Sequence, residues 1–136
     1  MLHKRDKEKL DNLLETLNND KKKKIYISGP VSVYHNDDFA TKEFIKIEEW
    51  LKAQTNNEYI IVNPVKFNSD FEGFNDMTWG DFMVCDLVIL NVCDIIYMCD
   101  GWEISHGAIM EKNFAEKNGL KVINKYTFKA KEKNAV

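Results

Sequence analysis

The sequence predicts a single-domain, three-layer α/β fold of Rossmann or flavodoxin type, with a parallel sheet of four to five strands and helices on both faces. Short apolar runs alternate with longer segments whose apolar residues recur every three or four positions. Strands that alternate with helices form a parallel sheet covered on both sides. A chain of 136 residues is long enough for one such core and leaves little room for a second.

Each element has its own signal. Leu10, Leu13, Leu14 and Leu17 lie at helical spacing and predict an amphipathic N-terminal helix. Residues 1–23 are therefore expected to add a helix and a lysine-rich lead-in to a core at 24–124, with a polar tail at 125–136. The predicted elements are, in order, a helix over 6–17, strand 25–28, a helix carrying Ala40, Phe44, Ile47 and Leu51, strand 59–62, a loop over 66–76, helix 78–91, strand 94–99, a helix containing Glu111, and strand 120–123.

The segment 78–91 has two interpretations. As a helix, it places Trp79, Phe82, Met83, Leu87 and Leu90 on one apolar stripe, with Asp86 in the middle of that stripe. As a competing interpretation, residues 87–90 form a strand that begins just after Asp86. A carboxyl group within an apolar stripe must be protonated, hydrogen-bonded or facing a polar pocket. The plainer alternative is an aspartate that caps a loop or bonds a backbone amide.

Composition and charge exclude several classes. No apolar run approaches the roughly 18 residues of a membrane span, and the charged N-terminus has no signal-peptide pattern, so we expect a soluble, cytoplasmic protein without a membrane partner. A net charge of -3 argues against a general nucleic-acid binder, although the lysines at 21–24 could form a local basic patch. Cys85, Cys93 and Cys99 are odd in number and lie in apolar segments, which predicts reduced core residues.

Three polar loops should meet at one edge of the sheet. They follow the predicted strands at Gly29-Pro30, Asn63-Pro64 and residues 100–105, and ligands of such sheets bind at the carboxyl ends of the strands. The polar loop from residue 31 to 38 should lie there too. The aromatic rings of Phe67, Phe71 and Phe74 would either stack on a base or fasten their loop to the core.

The segment 105–111 carries the clearest chemical signal. Ser105 is placed to cap a helix whose first amides can bind an anion such as phosphate. The field at the same helix end would keep Glu111 ionised, and an ionised carboxylate can attack a sugar carbon. The alternative is an ordinary capped helix with a solvated glutamate.

Taken together, the motifs from residue 25 to 123 resemble the nucleoside 2-deoxyribosyltransferase-like superfamily. The resemblance includes its 5'-monophosphate N-glycosidase branch and short phage and bacterial proteins classed as a domain of unknown function. The motifs are Tyr26-Ile27-Ser28-Gly29-Pro30, Val62-Asn63-Pro64, Trp79 with Asp81, Asp86-Leu87 with Leu90, Cys93-Asp94, Gly101-Trp102-Glu103, Ser105, Gly107-Ala108, Glu111 and Gly119.

The resemblance implies roles for individual residues. Glu111 would be the nucleophile, because it follows the Gly107-Ala108 pair by the family spacing, whereas Glu103 does not match. Asp86 would be the second acid, and Tyr26 would orient the nucleophile. The residues implied to bind the substrate are Ser105, at the phosphate, Gly29 and Pro30, facing the sugar phosphate, and Asn63, Trp102 and Gly107. The lack of an arginine after Gly29 and the bulk of Trp102 depart from the family pattern.

The implied activity is cleavage of the N-glycosidic bond of a ribo- or deoxyribonucleoside 5'-monophosphate, releasing free base and sugar 5-phosphate. Alternatives are 2-deoxyribosyl transfer between bases, a non-catalytic nucleotide-binding protein, and a DNA-associated protein led by the lysine run. The resemblance implies no metal and no organic cofactor, a nucleotide or nucleoside as the small-molecule partner, and a homodimer or higher homo-oligomer.

Overall fold

The core is a sheet of four parallel strands in the order β2-β1-β3-β4. The computed structural model describes residues 2–31 and 38–128. Its strands are β1 (Lys24–Ser28), β2 (Ile60–Val62), β3 (Ile95–Met98) and β4 (Lys121–Ile123). Its helices are α1 (Lys4–Asn19), α2 (Asp38–Gln54), α3 (Pro64–Ser69), α4 (Trp79–Leu90) and α5 (His106–Lys117), with short 3-10 helices at Phe74–Asp76 and Trp102–Ile104. The predicted Rossmann-like α/β fold is confirmed.

Alternate residues of β1 serve the two faces of the sheet. Ile25 and Ile27 pack into a cluster with Phe44 and Leu51 of α2. Tyr26 belongs to the opposite cluster, which contains buried residues of α1, α4 and α5. Side chains in a strand alternate between faces, so Ser28 lies on the same side as Tyr26. This is the side on which the candidate site is built.

The prediction of a loop over residues 66–76 is wrong in part, because helix α3 occupies its start. Pro64 is fixed in a helical conformation at the first turn, and the Asn63 side chain caps the helix by accepting a hydrogen bond from the Lys66 amide at 3.2 Å. Phe71 is buried against Phe67, with ring centroids 4.9 Å apart. Phe74 packs on Phe82 of α4 at 5.3 Å. The three rings therefore fasten this segment to the core.

Helix α4 settles the two interpretations of residues 78–91 in favour of a helix. Thr78 and Asp81 form a reciprocal capping box, with the Thr78 amide donating to Asp81 Oδ2 at 2.9 Å and the Asp81 amide donating to Thr78 Oγ1 at 3.1 Å. The helix continues to Leu90, so the strand interpretation of residues 87–90 is wrong. Asp86 is consequently held on a helix beside the sheet.

The three cysteines are free, buried core residues. Burial raises the pKa of the Cys85 thiol to about 11 and those of Cys93 and Cys99 to about 12, so all three stay protonated at neutral pH. In the part of the chain that the structure describes, no cluster of histidine, cysteine and acidic side chains is arranged to hold a metal ion. None of the helices described is long and apolar enough to cross a membrane.

Helix α1 is tied to the segment after α3 through a buried carboxylate. Asp6 is fully buried and accepts hydrogen bonds from the backbone amides of Glu72 and Gly73, both at 2.8 Å. Lys9, one turn along α1, donates to the Asp70 carbonyl at 3.0 Å. The added N-terminal helix thus fixes the chain that leads from α3 to α4.

We expect Asp6→Asn to lower the free energy of unfolding by about 2 kcal/mol, because hydrogen bonds to a charged acceptor are strong and an amide group would face one of the two N–H donors with its own N–H. Urea denaturation monitored by circular dichroism measures the change. Asp11→Asn, on the exposed side of the same helix, is the matched control and should be close to wild type. Equal effects of the two substitutions would contradict the role assigned to Asp6.

Candidate active site

The loops after β1 and β3 meet at the carboxyl end of the sheet. Gly101 adopts a left-handed conformation with φ of 86°, and an added Cβ there would lie 3.3 Å from Pro30 Cγ. A 3-10 turn then leads to Ser105, whose Oγ accepts a hydrogen bond from the Ala108 amide at 3.3 Å and caps α5. The predicted cap is therefore present, and α5 begins at the edge of the sheet where β1 and β3 end.

Glu111 lies in the second turn of α5 and points into the protein, with only 5% of its surface exposed. The Tyr26 hydroxyl donates a hydrogen bond to its Oε2, and the Ser28 hydroxyl donates to its Oε1 at 2.7 Å. Both donors come from the same face of β1. The carboxylate is therefore fixed at both oxygens, and the prediction of a solvated glutamate does not describe it.

Asp86 is the second carboxyl group of the site. It is half-buried on α4, and its Oδ1 accepts a hydrogen bond from Asn68 Nδ2 at 2.7 Å. Asn68 belongs to α3 and is buried. The site thus combines one residue each from α3, α4 and α5 with two from β1.

The two carboxyl groups lie within electrostatic reach of each other. Burial, and next the charge of Asp86, raise the pKa of Glu111 to about 8, although the Tyr26 and Ser28 hydrogen bonds act in the opposite direction. The expectation that the field at the helix end keeps Glu111 ionised is therefore wrong, because burial outweighs it. Burial raises the pKa of Asp86 to about 7 against the hydrogen bond from Asn68. Around neutral pH the pair therefore shares one proton, so one group can act as a base or nucleophile while the other is an acid.

Tyr26 remains a hydrogen-bond donor throughout this range. Burial raises its pKa well above the ordinary value, and the charges of Asp86 and Glu111 raise it further. A neutral phenol can orient a carboxylate without competing with it for charge. This is the arrangement expected of a residue that positions a nucleophile.

The other predicted site residues have mixed surroundings. A Cβ on Gly29 would lie 2.7 Å from Cys99 Cβ, so this glycine is required by the close approach of β1 to β3. A Cβ on Gly107 would lie 3.4 Å from Met83 Sδ, between α5 and α4. Lys112 Nζ lies 5.1 Å from the Trp102 ring centroid, over a half-buried indole. Pro30 is exposed beside these loops, whereas residues 32–37 of the predicted ligand loop lie outside the described residues.

Asn63 is engaged in structural hydrogen bonds. Its side-chain oxygen caps α3, and its Nδ2 donates to Glu48 Oε1 at 3.2 Å. Its role at the substrate stays a prediction.

Two residues of the site were missed by sequence reasoning. Ser28 could have been predicted from the sequence, since it lies two residues after Tyr26 in a strand and must share its face. No sequence pattern indicates Asn68, because it lies in a segment interpreted as a loop and approaches Asp86 only in the folded protein.

The buried carboxyl of Glu111 should make stability depend on pH. Its pKa is raised from 4.5 to about 8 on folding, so the folded protein holds the proton more tightly and loses stability as pH rises through that interval. We therefore expect Glu111→Gln to gain more than about 1 kcal/mol over wild type between pH 5.5 and pH 8.5, since one unit of pKa corresponds to about 1.4 kcal/mol. Urea unfolding at both pH values measures the difference.

Glu103→Gln is the control for this measurement, because Glu103 is exposed on the loop before α5. It should follow the wild-type pH dependence. A Glu111→Gln protein with an unchanged pH dependence would show that Glu111 does not carry the raised pKa.

Comparison with known proteins identifies a family that the chain matches. Residues 23–124 match a family model described as a domain of unknown function, DUF4406. No curated protein and no solved structure gives a significant match. The matched range contains every residue of the site described above and excludes helix α1, which ends at Asn19. Because the match covers most of the chain, the protein belongs to the DUF4406 family.

Proposed function

We propose that this protein cleaves the N-glycosidic bond of a nucleoside 5'-monophosphate, releasing the free base and the sugar 5-phosphate. The observation that carries the proposal is the buried Glu111 carboxylate, held at both oxygens by Tyr26 and Ser28 and placed within electrostatic reach of Asp86. Glycosidic cleavage with a covalent intermediate needs such a pair, one carboxylate as nucleophile and one carboxylic acid as proton donor. The resemblance to the nucleoside 2-deoxyribosyltransferase-like superfamily supports the same assignment.

The proposed reaction uses the arrangement of the pair in which the shared proton lies on Asp86 and Glu111 is ionised. In the first step, ionised Glu111 attacks C1' of the sugar through an oxocarbenium-like transition state. The bond from C1' to the base nitrogen breaks, and the electron pair leaves with the base as Asp86 transfers its proton to it. The product is a glycosyl ester on Glu111. Hydrogen bonds from Tyr26 and Ser28 hold the attacking group in one orientation, and each carboxylate oxygen retains a lone pair for the attack.

In the second step, water hydrolyses the ester. Asp86, now ionised, accepts a proton from the water as the water oxygen bonds to C1'. The ester bond between C1' and Glu111 breaks, and the carboxylate of Glu111 is released. The two carboxyl groups thus return to the state in which they share one proton. A second base in place of water would give base exchange, which is the transferase alternative.

Ser105 supports a nucleotide as the substrate in place of a nucleoside. It lies at the N-terminus of α5, a helix of 12 residues, where the free amides favour a phosphate group. In the monophosphate hydrolases of the resembling superfamily, a serine at this spacing helps hold the 5'-phosphate. Gly29 and Pro30 would then line the sugar-phosphate from the end of β1. No cofactor enters this mechanism, and the homo-oligomer implied by the resemblance stays a prediction.

Base release from each ribo- and deoxyribonucleoside 5'-monophosphate, followed by chromatography, tests the proposal. We expect release from at least one nucleotide, and a loss of about 10³-fold or more in Glu111→Gln, because the nucleophile has no substitute in the site. Glu103→Gln should keep wild-type activity. Nucleotide binding without any release, unaffected by Glu111→Gln, would instead identify a non-catalytic binding protein.

The shared proton predicts a bell-shaped dependence of kcat/KM on pH. Activity requires the form with one proton on the pair, so it should rise toward about 7 and fall above about 8, the two raised pKa values of the pair. The rising limb reports the loss of the first proton, which allows Glu111 to be ionised, and the falling limb reports the loss of the proton that Asp86 must transfer. Asp86→Asn should remove the falling limb and lower the rate, since an amide cannot transfer a proton. A profile without a maximum would contradict the paired roles.

A further inference from the structure

The side-chain amide of Asn68 is satisfied at only one of its two ends. Its Nδ2 donates to Asp86 Oδ1 at 2.7 Å, whereas its Oδ1 is buried without a hydrogen-bond partner among the described residues. Asn68 has only 7% of its surface exposed. A buried carbonyl oxygen without a donor destabilises the folded protein, so its retention beside a candidate acid calls for an explanation.

The orientation of the amide follows from its neighbour. Asn68 Nδ2 donates to Asp86 Oδ1, which accepts this hydrogen bond both as a carboxylate and as a carboxylic acid protonated on Oδ2, so the donor end faces Asp86 in both states of the proposed mechanism. The acceptor end therefore stays available to a group that brings its own hydrogen. The hydroxyl hydrogens of Tyr26 and Ser28, by contrast, are already donated to Glu111.

We propose, on the basis of the proposed function, that Asn68 Oδ1 accepts an N–H of the leaving base and so selects which base is released. Asp86 would deliver its proton to one atom of the base while Asn68 binds the hydrogen on the neighbouring position. Because this oxygen is closed to solvent, binding must shift the side chains that cover it. Asn68 then serves both as a positioning residue for Asp86 and as a contact to the substrate.

The proposed contacts with Asp86 and Asn68 predict which bases can bind in the site. The position next to the protonated atom must carry a hydrogen. In a purine protonated at N7, adenine presents its 6-amino group there, whereas hypoxanthine and guanine present an oxygen that would face the Asn68 carbonyl. In a pyrimidine protonated at O2, uracil presents N3–H, whereas N3 of cytosine is an acceptor. We therefore expect adenine to be preferred over hypoxanthine, and uracil over cytosine.

The test compares the 5'-monophosphates of these four bases, in ribo and deoxy form, with wild type and Asn68→Leu. Whichever class is cleaved, purines or pyrimidines, wild type should prefer its predicted member by about 10-fold or more in kcat/KM. The other member would place an acceptor against the Asn68 carbonyl with no hydrogen between them. In Asn68→Leu this ratio should fall toward one. A merely structural role would lower the rates for both bases and leave their ratio intact.

Ser69→Ala, at the exposed end of α3, is the control and should keep the wild-type ratio. Equal rates for both members of the accepted pair in wild type, or a reversed preference, would overturn the proposal even if Asn68→Leu fails to fold.

Calorimetric binding of the same nucleotides to Glu111→Gln separates this proposal from the proposed function. Preferential binding of the predicted base without release in wild type would refute the glycosidase and retain the role of Asn68. Release of bases without the predicted preference would support the glycosidase and refute the role of Asn68 in base selection. If the protein neither binds nor cleaves any of these nucleotides, both proposals are overturned.

Discussion

The hydrogen bonds from Tyr26 and Ser28 to Glu111 are the constraint on which the site depends. They fix α5 against β1, because the two hydroxyls lie on alternate residues of one strand and reach the two oxygens of one carboxylate. β1 lies in the interior of the sheet, between β2 and β3, and its opposite face is covered by α2. The left-handed turn at Gly101 and the 3-10 turn after it lead from the end of β3 to the start of α5.

The same constraint carries an energetic cost. A carboxyl group with 5% exposure near a second carboxyl is destabilised in its ionised form, and two hydroxyl donors only partly offset this. A hydrophobic residue would pack in this place without such a cost. Destabilised, polar groups within an otherwise well-packed core are typical of active sites, where chemistry and not stability has determined the residue. The surrounding apolar clusters on both sheet faces supply the stability that the site lacks.

The sequence predicted the architecture well because periodicity reports directly on burial. The order of strands and helices and the Ser105 cap follow from local patterns, whereas the helix that carries Asp86 was one of two interpretations that the sequence allowed. The start of the segment 66–76 was mispredicted because a helix of six residues, whose start is set by Asn63 and Pro64, is too short to show a period. Asn68 was missed for the same reason. Its contact with Asp86 spans 18 residues and exists only in the folded chain.

The contacts of α1 connect the added helix to the site through the backbone. Asp6 binds the amides of Glu72 and Gly73, a few residues after Asn68 in the segment that leaves α3. Asn68 in turn binds Asp86, whose charge acts on Glu111. Helix α1 lies outside the range matched by the family model, yet it holds the wall of the site that carries the amide. Since a buried carboxylate with two backbone donors permits little movement, α1 gives this member of the family a rigid support for the residue that we propose selects the base.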